Sequence, residues 1–166
     1  LLDSNVRRIG LKRWLEDQFT KQYPSATNPY PNLVLKPNDI DVGCPFLRGT
    51  PEFAQCSRDY YTQYLTQRWF FKEAFYGEAQ LKHRVAWALG QLWVTSGQDI
   101  QQARWMIEWH KVLSNNAFGN YRTLMKEMTL NPAMGNYLDM AISTRNNPNE
   151  NFAREILQLF SVGLFM

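Results

Sequence analysis

Apolar residues recur at intervals of three and four along most of this 166-residue chain, the spacing that gathers them on one face of an α-helix. Val6, Ile9, Trp14, Leu15 and Phe19 predict a first helix over 5–22, stopped by Tyr23-Pro24. Tyr61, Leu65, Trp69 and Phe70 predict a helix over 58–74. Gly77 then permits a turn into a segment over 78–94, where Leu81, Val85, Ala88, Leu89 and Leu92 set the period and Trp87 and Trp93 widen the buried face. Ser96 with Asp99 in the first turn predicts a capped helix reaching 113, carrying Ile100, Ala103, Trp105, Met106, Trp109 and Val112. A corner at 116–120 precedes a short helix over 121–129 with Leu124, Met125 and Met128 inward. Asn131-Pro132 reads as an N-cap followed by proline at the first helical position, where its missing N–H costs little. Met134, Leu138 and Ile142 form the inner face of that helix. After a polar turn at 143–147, Asn147 as cap, Pro148 at the first position and Glu150 at the third open a last helix. Phe152, Ile156, Leu159 and Phe160 supply its apolar face, and Gly163 its stop. No stretch alternates in the manner of a β-strand.

One segment breaks the pattern. Six of the eight prolines (Pro24, Pro29, Pro31, Pro37, Pro45 and Pro51) fall within 23–57. They fix backbone angles and remove amide donors, which excludes a continuous helix or central strand. The expectation is an all-α, irregular multi-helix bundle with a long, ordered, Pro-rich excursion near its N-terminus. The apolar tail Val162, Leu164, Phe165 and Met166 needs a covering surface, so residues 1–166 are read as the N-terminal part of one larger helical domain.

Composition narrows the classes. With 45% hydrophobic and 14% aromatic residues, the chain is too apolar for wholesale disorder. No apolar run approaches the roughly 20 residues of a membrane-spanning helix. The net charge of +3 is mild, and Arg7, Arg8, Lys12 and Arg13 read as a solubilising face rather than a nucleic-acid footprint. Cys44 and Cys56 either form a disulfide in an oxidising compartment or stay separate thiols in a reducing one. Residues 1–8 do not resemble a signal peptide, which leaves the location open.

Three blocks carry a family resemblance. They are Leu81-Lys82-His83-Arg84-Val85-Ala86-Trp87-Ala88-Leu89, the run from Asn116 through Arg122 with Met128 to Gly135, and the run from Asn149 to Leu164. Together they resemble the bacterial domain-of-unknown-function family 1800, and Trp14, Leu15 and Gln18 resemble its beginning. The resemblance implies a largely helical protein, longer than this chain and exported to the periplasm or cell surface. It implies no activity.

Asn149-Glu150-Asn151-Phe152-Ala153-Arg154-Glu155 is the strongest chemical candidate. Glu150 and Arg154 are neighbours at i,i+4, and so are Asn151 and Glu155. In a catalytic reading Glu150 or Glu155 is a general base and Arg154 holds an anionic group; in a structural one they cap and solvate the helix. His83 and His110 meet only through tertiary packing, and no His-Glu-x-x-His spacing supports a metal site, so neither metal nor cofactor is assigned. Walker A, dinucleotide-binding and G-x-S-x-G patterns are absent. Tyr23, Tyr30, Tyr60, Tyr61 and Tyr64 offer flat surfaces for a glycan, whereas Trp69, Trp87, Trp93, Trp105 and Trp109 read as core. The leading expectation is an extracytoplasmic helical scaffold or protein-interaction element, partnered by the remainder of its own protein or by another subunit. The alternative is part of an extracytoplasmic enzyme, with hydrolysis as the candidate reaction type, built on Glu150, Arg154 and Glu155; a glycan-binding module ranks third.

Overall fold

The structure, a computed structural model, describes residues 2–163. The tail Leu164, Phe165 and Met166, for which a covering surface was expected, lies outside the described residues. Within them are ten α-helices and one 3-10 turn, with no β-strand, so the all-α expectation holds.

The first expected helix is two. α1 (Leu2–Ile9) and α2 (Leu11–Thr20) are separated by Gly10, whose φ of 79° suits glycine and interrupts the helix. After the cis Tyr23-Pro24 bond the excursion runs without regular structure to α3 (Ile40–Gly43). It ends earlier than expected, because α4 spans Pro51–Tyr61. Pro51 is at the first helical position rather than in a loop, and the Thr50 hydroxyl accepts the Phe53 N–H at 3.3 Å. The Cys44–Cys56 disulfide ties α4 back to the excursion.

The helix expected over 58–74 is likewise divided. Thr62 is extended and turns its hydroxyl onto the Arg58 carbonyl, ending α4, and α5 (Tyr64–Tyr76) starts afresh. α6 (Gln80–Leu92) follows. Ser96 accepts the N–H groups of Gln98 and Asp99, both at 3.2 Å, but caps only a single turn, and α7 begins later, at Ala103–Asn115. α8 (Tyr121–Thr129) and α9 (Pro132–Tyr137) start as expected, with Asn131 accepting the Ala133 N–H. Asp139, at φ 64°, then stops α9, so the expected continuation becomes a 3-10 turn (Met140–Ile142) that leaves Ile142 exposed. α10 (Asn151–Gln158) opens on Asn149, which accepts the Asn151 N–H at 2.9 Å; the expected cap at Asn147 is instead part of the preceding turn with Thr144.

α7 is the central helix, packed against α5, α6, α8 and α9. Its buried face runs through Ala103, Ile107, His110, Leu113 and Ser114. One core unites Ala86, Trp93, Leu113, Leu124, Met128, Met134, Leu138, Phe152 and Phe160. Trp93 stacks on Phe160 with centroids 4.2 Å apart, joining the end of α6 to the end of α10. The inner face of α6 is His83, Ala86 and Gly90, leading to Trp93. Ala88 and Leu92 therefore point outward, and Trp87, expected in the core, is 54% exposed. Small residues line this face because α7 approaches closely: the Trp109 indole lies over Gly90 and donates its N–H to the Trp93 carbonyl at 3.1 Å.

A Cβ at Gly90 would sit 2.8 Å from Trp109 Cη2 and 3.3 Å from a Leu113 methyl. Gly90→Ala is expected to destabilise the fold by about 1–3 kcal/mol, the usual cost of overpacking, in urea unfolding. Gly135→Ala in α9, where a Cβ meets nothing within 4 Å, is expected to leave stability unchanged or raised.

Candidate functional site

Residues 23–30 of the excursion lie across α5, α6 and α7, and a buried polar network receives them. The Tyr23 hydroxyl is 2.9 Å from Nδ1 of His83 on α6 and 2.7 Å from Nε2 of His110 on α7. Beside it Glu73 of α5 is 1% exposed. Its Oε1 accepts from the Ser25 backbone N–H at 3.0 Å and the Ser25 hydroxyl at 2.7 Å, and its Oε2 accepts from Asn28 Nδ2 at 3.0 Å. Asn28 also donates to the Trp69 carbonyl, while the Trp69 indole N–H donates to the Asn28 carbonyl. Tyr30 reaches Ser114 Oγ at 2.5 Å and packs its ring on Trp69. Further along, Gln102 grips both backbone groups of Lys36, accepting its N–H at 2.7 Å and donating to its carbonyl at 2.8 Å. A segment without secondary structure thus has its buried polar groups matched by side chains of three helices, as burial requires.

Burial governs the protons here. It pushes His83 down to about 4, with the Glu73 carboxylate opposing and Arg84 adding to the effect. It pushes His110 down to about 3, with His83 contributing. Tyr30 is pushed up to about 12 by burial, partly offset by its bond to Ser114. Tyr23 is raised as well, by burial first and then by Tyr30 and Glu73. At neutral pH the centre therefore holds a neutral phenol between two neutral imidazoles. A phenol has one proton, so Tyr23 donates to one ring and accepts an N–H from the other. Nε2 of His83 is buried without a partner. Placing the His83 proton on Nδ1, toward Tyr23, leaves a bare lone pair there rather than an orphaned N–H, the less costly choice. In that arrangement Tyr23 donates to His110.

Tyr23 and Tyr30 are thus engaged in the network and only partly exposed. Tyr60 and Tyr64 are exposed, and the ring of Tyr60 is tilted 49° from that of Tyr61 rather than coplanar with it. Among the described residues no group of three or more His, Cys, Asp or Glu is placed to share a metal ion.

The cluster on α10 is a separate, surface feature. Arg154 donates to Glu150 Oε1 at 3.3 Å, to Glu155 Oε1 at 3.3 Å and to Asn151 Oδ1 at 2.7 Å. The structure brings Glu150, Arg154 and Glu155 together on one turn, with Glu150 well exposed and Glu155 half-buried. Arg154 is satisfied by its own helix.

A cleft of about 920 Å³ lies elsewhere, between α1–α2 and the α5–α6 corner. Gln18, buried in its wall, donates to the Glu78 carbonyl at 3.1 Å and accepts the Leu81 N–H at 3.0 Å, pinning α2 to the start of α6.

Glu73, Asn28 and Ser114 escaped the sequence reading. Glu73 follows Trp69 by four residues, on the same helical row. A carboxylate on an aromatic stripe, with two lone histidines elsewhere, was the available signal for a buried polar centre. Residues 3–165 match a family model described as a protein of unknown function (DUF1800). No curated protein and no solved structure matches the chain.

Tyr23→Phe keeps the ring and strands a nitrogen on each histidine. It is expected to destabilise the fold by about 2–4 kcal/mol, since each buried group left unpaired costs about 1–3 kcal/mol, as measured by urea unfolding. The depressed histidines also set a pH response. Above about pH 6.5 both are neutral folded or unfolded. Below it the unfolded chain takes up protons that the folded chain refuses, so stability falls as pH drops toward 4, by on the order of 2 kcal/mol per histidine at pH 5. Thermal melts from pH 7 to pH 5 should show this decline, and His110→Gln should make the slope shallower.

Proposed function

We propose that this chain, which belongs to the DUF1800 family, serves as an extracytoplasmic helical scaffold that presents an apolar surface to another protein surface. The observation that carries this reading is the set of exposed apolar side chains flanking the Trp93–Phe160 stack. Leu92 and Val94 stand on either side of Trp93, and Leu159 and Val162 on either side of Phe160 along the chain; all four are about half exposed or more. Burying such side chains against a partner contributes roughly 25 cal/mol per Å² before the costs of association.

Two further features support the reading. The histidines and Glu73 are engaged in bracing the excursion, so the residues best suited to proton transfer are committed to structure. The Cys44–Cys56 disulfide suits an oxidising compartment, because the reducing cytosol keeps thiols open. An enzymatic reading rests on the convergence of Glu150, Asn151 and Glu155 on Arg154, which would have to part for Arg154 to hold a substrate anion.

The interaction reading is tested by placing a photo-crosslinking amino acid at Leu92 or Leu159 in the native cell, with exposed Glu52 as the control position. The expected outcome is a discrete protein adduct at the first two positions and none at the third. Failure of both positions to crosslink to protein would defeat the scaffold. Alkylation before extraction, followed by intact mass, is expected to find Cys44 and Cys56 bridged; two alkylated thiols would contradict the location.

A further inference from the structure

The cleft between α1–α2 and the α5–α6 corner is lined by two kinds of side chain that together specify a ligand. Arg8, Arg13, Lys21 and Arg84 face it, against two carboxylates, Asp17 and Glu78. Lys21 engages both acids, at 3.4 and 3.6 Å. The only side-chain hydrogen bond of Arg84 among the described residues goes to neutral Gln80. Arg8, Arg13 and Arg84 therefore keep their charge uncompensated by any ion pair within the described residues, in a concavity of about 920 Å³. Trp14, Phe75 and Tyr76 supply aromatic wall, and Tyr76 is 80% exposed. Phe75 contacts both Tyr76 and Phe71, all three exposed, and a contiguous exposed apolar patch marks an interaction site. Gln18 holds α2 against the start of α6.

The geometry points to a binding site for an anionic carbohydrate, a glycan carrying uronate carboxylates. Arginine forks match carboxylates two hydrogen bonds at a time, and aromatic rings cover the apolar faces of sugar rings. A cleft of about 920 Å³ has room for more than one sugar ring, so separate carboxylates of a short oligomer can meet separate arginines. The residues are distinct from those flanking the Trp93–Phe160 stack, so this site stands or falls independently of the protein-facing surface.

The test is isothermal titration of the full chain with oligogalacturonate and with its methyl ester, which has the same sugar rings without charge. Arg13, Arg84 and Tyr76 are exposed, so Arg13→Ala, Arg84→Ala and Tyr76→Ala should fold normally, which thermal melts verify. The acid form is expected to bind, and its ester at least about tenfold more weakly. Each arginine variant should lose about tenfold in affinity, the size of one charge-assisted contact, and Tyr76→Ala should lose several-fold. Affinity should also fall as salt rises from about 50 to about 300 mM, as screening requires. Absence of binding at millimolar ligand, equal binding of acid and ester, or arginine variants indistinguishable from the parent would each overturn the assignment. So would tighter binding of a short oligonucleotide, or full competition by inorganic phosphate at matched concentration.

Discussion

Everything in this fold turns on how a proline-rich segment is made part of a helical body. Such a segment lacks its own hydrogen-bond ladder, and burying it exposes each unpaired group to a desolvation cost of about 1–3 kcal/mol. Here the matching partners come from three helices at once. Glu73 receives the turn at Ser25 and Asn28, and Tyr23 bridges the two histidines of α6 and α7. One phenol oxygen thereby ties the excursion to two helices that already pack on each other. With His83 Nε2 the one buried atom of its titratable side chains left without a partner, the network favours a single arrangement, since any shift leaves several more groups unpaired together.

That commitment shapes what the surface can do. Titratable side chains that would serve catalysis in an open cleft are closed within the brace, with the histidines held neutral by burial. Among the side chains that remain accessible are the apolar residues around the Trp93–Phe160 stack and the arginines and aromatics around the cleft at α2 and α6. These are the two recognition surfaces we propose, one for a protein and one for an anion with flat apolar faces. The brace makes either possible by fixing α5, α6 and α7 relative to one another.

Helical character, the N-cap at Asn131, and core residues such as Leu124, Met128 and Phe152 were legible from periodicity and capping chemistry alone. Helix phase was less so. On α6 a row through Ala88 and Leu92 looks as apolar as the true inner face, and close approach of α7 selects the row containing Ala86 and Gly90 instead. The breaks at Gly10, Thr62 and Asp139 each depend on one residue's backbone conformation, which a hydrophobic pattern does not encode. The α10 cluster was foreseen as an i,i+4 pairing because its partners are local. The centre at Tyr23, Glu73, His83 and His110 joins residues far apart in sequence, and its logic appears only when the excursion is seen to cross the helices.

Hydrogen exchange of individual amides under native conditions reads the brace most directly. The Ser25 N–H, held by Glu73, and the Lys36 N–H, held by Gln102, belong to a segment without regular secondary structure, where fast exchange is the ordinary behaviour. If the polar network makes the excursion one cooperative unit with α7, both amides will exchange only at the free energy of global unfolding, together with those of Leu113 and Ser114. Exchange of Ser25 and Lys36 through local opening, while the α7 amides stay protected, would show that the excursion is merely laid on the helical body and that the network does not hold it.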